Sequence, residues 1–347
     1  MVFKKSLLAC SMLIVFAVQF FAGPVSAGEI KRIAYVELGP FWLFSFTLQA
    51  IRAELNKSKE WQFTFPDELR LSPGWDATTD DFDRLTARLQ ERDDVDLIIA
   101  AGTAGVRSVL RTNTGKIPII GIGMADPIAA RIVLSDSDSG IDNFTTIVIP
   151  DRWKHMIRVF HDVVQFSRLG ILYPPGEEGK IYAGLEDVQA VAEELGFEVL
   201  AREIPDENVE GCADGINWLA EAGMDAFLIG PLNGFDLEDG DPSYLLSLLN
   251  RTHQIPTFAR DGSFFVQSGA LLGFSTWDFS RDGRNYADKI LRILAGVMPR
   301  SLPMRSTIEP IIAVNIQTAL EIGFDLPFDV LIVADEIYVQ SSRPNLK

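Results

Sequence analysis

A short apolar run closed by Gly or Pro recurs along this chain, and it recurs as two comparable sets. The first set is Arg32-Ile-Ala-Tyr-Val-Glu-Leu-Gly-Pro, Asp96-Leu-Ile-Ile-Ala-Ala-Gly and Ile117-Pro-Ile-Ile-Gly. The second is Arg168-Leu-Gly-Ile-Leu-Tyr-Pro-Pro-Gly, Asp225-Ala-Phe-Leu-Ile-Gly-Pro and Ile255-Pro-Thr-Phe-Ala. Helix-length sequence separates the members of each set. Uninterrupted apolar runs of this kind are the mark of parallel strands, whose sheets are covered by helices on both faces. The pattern predicts an α/β protein with two Rossmann-like lobes, each on a parallel sheet, joined by a multi-strand hinge and facing one another across a cleft. Such a cleft is a natural place for a small ligand.

The N-terminus reads as a secretory signal peptide over residues 1–27. Lys4 and Lys5 form its basic start, Leu7 to Phe21 its apolar stretch, and Val25-Ser26-Ala27 a small-residue cleavage site. The apolar stretch is short for a membrane span, which takes roughly 20 residues; an uncleaved N-terminal anchor is the rival reading. Leu7-Leu8-Ala9-Cys10 mimics a lipoprotein cleavage box but stands too close to the lysines. Export to the periplasm is the expected outcome, and cleavage would leave Cys212 as the one cysteine, able to form neither an internal disulfide nor a thiolate metal site. The formal charge of −17 makes nucleic acid and anionic membrane surfaces poor partners. The acidic stretch Asp136 to Asp142 fails as a calcium loop, because serines fall on its ligand positions and Thr146 stands where a Glu is needed.

Residues 28–147 with 272–305 are expected to form the first lobe, and 148–271 with 306–347 the second. In the first, strands at about 31–37, 61–65, 95–101, 117–122 and 143–149 alternate with helices around Leu48-Ile51-Leu55, Phe82-Leu85-Leu89 and Thr103–Arg111. In the second, a helix over 151–165 precedes strands near 168–173, 197–202, 225–230 and 255–259. Ala270 to Phe274 reads as a strand returning to the first lobe, followed by a helix over about 280–296. A strand ending at Asn315 and two short helices complete the chain.

Ligand loops in such sheets lie at the carboxyl ends of the strands. Gly102-Thr103-Ala104-Gly105 joins a strand directly to a helix, so its backbone N–H groups and the Thr103 hydroxyl suit a carboxylate; alternatively Thr103 caps the helix. Asp126 and Asp261 could each hold an ammonium from opposite lobes, though Asp126-Pro127 and Asp261-Gly262 are also turn chemistry. Phe41 and Trp42 could stack a flat apolar ligand or pack beneath the first loop. Tyr173 and Asn233 are polar candidates by position. No Gly-x-Ser-x-Gly elbow and no phosphate loop is present, and His155, His161 and His253 lack zinc-site spacing. No catalytic residue, metal or cofactor is expected, although acid–base work by carboxylates alone stays open.

At the C-terminus, Val314-Asn315-Ile316-Gln317-Thr318-Ala319, Ile322-Gly323, Leu326-Pro327, Leu331 and Ala334-Asp335-Glu336-Ile337 resemble the closing signature of a bacterial family. It is the family of ABC-transporter substrate-binding proteins that includes tryptophan- and tyrosine-binding members, and the likeness runs from Ile33 to Tyr338. The resemblance implies the type I periplasmic binding protein fold. Its Thr-Pro-Ala loop is matched at Thr103 and Ala104, its Thr-Asp-Pro at Asp126 and Pro127 behind Ala125, and its Phe-Ala-Ser-Asp at Phe258-Ala259-Arg260-Asp261. Asn233 corresponds to an Asn in the fourth-strand loop. After Tyr173 the likeness fails: the family places Asn and Ser there, and this chain has Pro174-Pro175-Gly176-Glu177-Glu178-Gly179. The resemblance implies a monomeric solute-binding protein, not an enzyme, that passes a small organic solute, an amino acid with aromatic members favoured, to an ABC permease in the inner membrane. A periplasmic sensor feeding a membrane histidine kinase and, third, a carboxylate-based hydrolase are the alternatives.

Overall fold

The computed structural model describes residues 29–236, 240–275, 279–306 and 311–343. The signal peptide read in residues 1–27 lies outside the described residues, with Cys10 in it.

The first sheet is built from β1 (Glu29–Val36), β2 (Trp61–Thr64), β3 (Arg70–Leu71), β4 (Leu97–Ala101), β5 (Ile119–Ile122) and β6 (Phe144–Thr145). Its order is β2-β1-β4-β5-β6, with β3 also on β1, and every pairing is parallel. The helices α1 (Trp42–Leu55), α2 (Thr79–Gln90) and α3 (Gly102–Arg111) connect these strands. All residues of β4 and β5 are buried, as their unbroken apolar runs require. At α2, Thr78 Oγ1 accepts from the Asp81 N–H at 3.2 Å, and Asp80 and Asp81 occupy the first turn, where the helix dipole favours acidic groups.

The second lobe runs from α4 (Arg152–Val164) through β7 (Arg168–Tyr173), α5 (Gly176–Ala183), α6 (Leu185–Leu195), β8 (Glu198–Glu203), α7 (Val209–Glu221) and β9 (Ala226–Ile229). It continues through α8 (Pro242–Ser247), β10 (Thr257–Ala259), α9 (Ser263–Ser268) and β11 (Leu272–Ser275). After α10 (Phe279–Leu294) come β12 (Ile311–Asn315), α11 (Ile316–Ile322), α12 (Phe328–Val333) and β13 (Glu336–Tyr338). The sheet order is β13-β12-β11-β10-β9-β7-β8. Counted within each lobe, and with β3 set aside, both sheets place the second strand outside the first, then the third, fourth and fifth. The loose sequence repeat is therefore a repeat of topology.

Two expectations about the hinge are corrected. The strand expected over 143–149 is paired only at Phe144–Thr145; beyond it the chain leaves the lobe, and Val148 pairs instead with the segment at Arg305. There Val148 N–H donates to Met304 O at 2.9 Å and Ser306 N–H to Val148 O at 2.8 Å, so two of the crossing segments run side by side. The run at 270–274 does not return to the first lobe. As β11 it stays in the second sheet, parallel to β10, because Leu271 and Leu272 are buried with Phe258 and Val314. The chain crosses only afterwards, and α10 packs on α1 so tightly that a Cβ at Gly283 would lie 2.8 Å from Ala50 backbone. Because the chain departs after β11 and comes back into β12, those two strands are antiparallel, the one exception in the sheet.

Candidate functional site

The carboxyl ends of β1, β4, β5, β7, β9 and β10 converge between the lobes on a cavity of about 320 Å3. Phe41, Phe44, Trp75, Thr103, Ala104 and Met124 form its first-lobe wall. Trp153, Glu178, Tyr182, Glu207, Asn233, Arg260 and Asp261 face them from the second lobe.

On the first wall, α3 begins directly from β4. Gly102 makes the turn with φ +69°, and a Cβ there would sit 2.6 Å from the Phe44 ring. Ala101 holds the capping position and offers no side-chain acceptor to the first-turn N–H groups. Thr103 lies inside the first turn and does not cap it. It is 2% exposed, and its Oγ1 makes no hydrogen bond of normal geometry. Phe41 meets Phe44 edge-on, with ring centroids 5.2 Å apart. Trp75, about half exposed, lies flat on Gly39, where a Cβ would come within 2.6 Å of the indole. These rings give the wall a wide apolar face beside a row of donors.

On the second wall, Arg260 is 3% and Asp261 8% exposed, and the guanidinium donates to Asp261 Oδ2 at 3.0 and 3.2 Å. Arg260 also donates to the Tyr182 carbonyl and lies over the Trp153 ring, 4.2 Å from its centroid. The Arg152 guanidinium lies 4.0 Å from the same centroid. It reaches across to the first lobe, donating to the Ala125 and Met124 carbonyls. Burial, and then the charge of Arg260, bring its pKa down to about 10.

The segment after Tyr173 turns at Pro174-Pro175 into α5, which lays Glu178 and Tyr182 over the α3 N-terminus. Glu178 pairs with Arg107 across the cleft. The Tyr182 phenol comes near enough to Arg107, Thr103 and the Ala104 N–H for them to oppose the rise in its pKa that burial causes. Gly179 is required in this helix, since a Cβ would stand 1.8 Å from the Pro174 carbonyl oxygen.

Of the residues singled out from sequence, Phe41, Thr103, Ala104, Asn233 and Asp261 meet at this cavity. Asp126 and Pro127 line an adjoining cleft; the Asp126 carboxylate accepts from the Ile128 and Ala129 N–H groups, both at 2.9 Å, and so closes its own turn. Tyr173 lines another cleft, which Trp153 and Asp126 also border. Trp42 is not on the cavity wall. It is 1% exposed and enclosed by Phe46, Phe264, Phe265 and Phe279 at centroid distances of 5.9 to 6.3 Å. Sequence reasoning missed Trp75, Arg152, Trp153, Tyr182 and Glu207. A signal existed for Arg152 and Trp153, which sit where the chain enters the second lobe; none marked Glu207.

Among the described residues no group of three or more His, Cys, Asp or Glu side chains is placed to hold a metal ion. The acidic stretch at 136–142 is spent on ion pairs, Asp138 and Asp142 with Arg300 and Asp136 with Arg305. Cys212 is buried beside the Glu207 carbonyl, and burial pushes its thiol up to about 12. No helix among the described residues is long and apolar enough to cross a membrane.

Two α/β lobes with ligand loops converging on a cavity between them define a binding protein of the type I periplasmic architecture. Residues 77–338 match the family model described as ABC transporter substrate binding protein, and the chain belongs to that family. Family members take a small-molecule ligand, work with a permease and are generally extracytoplasmic. Among solved structures, a Streptococcus pneumoniae ABC domain in complex with L-Trp is similar over 89% of this chain and 100% of its own, at 19% identity and TM-score 0.69. A conserved domain protein of Vibrio cholerae covers 90% and 99% at 17% identity and TM-score 0.70. The ligand-free, open structure of a Clostridium difficile substrate binding protein with adhesive properties covers 90% and 100% at 18% and 0.62. At such identities these likenesses speak for the fold alone. Among curated protein sequences no significant match was found.

Proposed function

We propose that this protein captures an amino acid, aromatic members favoured, in the interlobe cavity and hands it to an ABC permease on the outer side of the inner membrane. The observation that carries the reading is the first-lobe wall, where the N-terminus of α3, with the buried Thr103 hydroxyl, adjoins the rings of Phe41, Phe44 and Trp75. Helix-start N–H groups suit a carboxylate, and the rings suit a flat apolar side chain. A volume of about 320 Å3 falls at the lower end of the range for small-molecule sites, roughly 300–1,000 Å3. Asn233 and the Arg260–Asp261 pair approach the same ligand from the second lobe, so contacts to both walls select the closed arrangement. The L-Trp bound to the streptococcal relative supports an amino-acid ligand. The mechanism is binding with closure, without turnover.

A thermal-shift screen against the proteinogenic amino acids tests this. A ligand present at 100 times its Kd stabilises the folded state by about 2.7 kcal/mol, and one class of compound should stand out by that margin. A uniform response across the panel would end the amino-acid assignment.

A further inference from the structure

Glu178, Glu207 and Asp261 line the cavity and Asp126 stands in the adjoining cleft, and these carboxylates are not equivalent. Asp261 is neutralised by Arg260 at 3.0 Å. Glu178 is paired with Arg107. Asp126, in the adjoining cleft, closes its own turn through two N–H donors at 2.9 Å. Glu207, on the loop between β8 and α7, is different. It is partly buried on the cavity wall, and its carboxylate makes no hydrogen bond or ion pair among the described residues.

Its electrostatics agree with its geometry. The Glu207 pKa is raised, with burial as the cause and no cation or donor offsetting it. The charge of Glu207 is felt at the Tyr182 phenol, which in turn lies near Thr103 Oγ1 and the Ala104 N–H. A partly desolvated carboxylate thus lines the same cavity as the start of α3 and the aromatic wall.

We infer that Glu207, and neither Asp126 nor Asp261, holds the α-ammonium group of the ligand. The inference rests on the amino-acid reading given above and adds the residue that makes it an amino-acid site. The α-ammonium and α-carboxylate of an amino acid share one carbon, so their receptors must be neighbours. Glu207 and the α3 N-terminus border the same cavity, whereas Asp126 stands in the adjoining cleft with its carboxylate engaged by its own turn. A partly buried carboxylate left without a partner favours a ligand that can supply one. The site should therefore discriminate against carboxylates that have the same ring and no amino group.

The test is isothermal titration of the wild-type protein, Glu207→Gln and Asp126→Asn with L-tryptophan, L-phenylalanine, 3-indolepropionate and 3-phenylpropionate. Gln keeps the shape of Glu, and the backbone carbonyl that accepts from Gly234 at 2.6 Å is untouched by the change. Wild type should prefer each amino acid over its deaminated counterpart by about 30-fold or more, and Glu207→Gln should erase that preference while keeping affinity for the propionates. Asp126→Asn should leave the preference in place. Amino-acid binding unchanged in Glu207→Gln overturns the Glu207 assignment alone, as does an equal loss for amino acids and propionates. Wild type that binds none of the four overturns the assignment together with the amino-acid reading.

Discussion

Arg260 and Asp261 show how far a loop position can be from a tolerant one. Adjacent in sequence at the end of β10, they are almost fully enclosed, and the guanidinium is held by one carboxylate, one carbonyl and one indole face. Removing one member of such a pair leaves a buried charge uncompensated, at a cost of about 3–5 kcal/mol. Asp261→Asn should therefore lower stability by about 3 kcal/mol in urea denaturation. Adding Arg260→Met should recover much of the loss, because the stranded charge goes with it. A double variant as unstable as the sum of the singles would show that the two side chains do not act as a pair. From sequence, Asp261 and Thr103 could be placed at the mouth of the interlobe cleft because strand ends are readable from apolar runs. What their polar atoms do could not be read. The pairing of Asp261 depends on the neighbouring side chain turning inward, and the idleness of Glu207 depends on what surrounds it in three dimensions.

At the level of elements, α5 turns on its opening residues, Pro174-Pro175-Gly176. Pro174-Pro175 fixes an extended approach, and Gly176 and Gly179 let the following turn fold back on it. The outcome is a short helix that carries Glu178 and Tyr182 to the opposite lobe. Gly179→Ala would push a methyl group into the Pro174 carbonyl, which is backbone and cannot swing away. Displacing α5 in this way should cost about 1–3 kcal/mol. It should also weaken ligand binding, measurable by denaturation and by titration of the same preparation. Wild-type stability in Gly179→Ala would mean that the helix is seated by other contacts. This element was hidden in the sequence because Pro-Pro-Gly reads as loop chemistry and eight residues are too few for a periodic signal. The long helices α2, α4 and α10 and the strands β1, β4 and β7 were legible, since each repeats its apolar spacing over enough residues to separate helix from strand.

Across the whole molecule, the duplication of an α/β unit was readable, and the path of the chain between the lobes was not. β11 has the apolar character of any buried strand, and nothing in its residues says which sheet it joins; its neighbours Phe258 and Val314 decide that. Trp42 stood open between ligand and packing for a related reason: an aromatic residue at a strand end looks the same whether it meets a ligand or another ring. It meets rings, and they come from both lobes. Phe264 and Phe265 belong to α9 of the second lobe, while Phe46 and Phe279 belong to the first, so the indole is the pivot of a dry seam. Trp42→Ala should accordingly weaken aromatic and aliphatic ligands alike. A seam of this kind also makes the protein its own optical gauge. Any swing that parts α9 from α1 must wet an indole that is 1% exposed, and wet indoles emit at longer wavelengths. With six tryptophans in the chain, the signal has to be isolated as the difference between wild type and Trp42→Phe, with and without ligand. A difference spectrum that shifts to the red as ligand is withdrawn would report lobe separation directly, without a label.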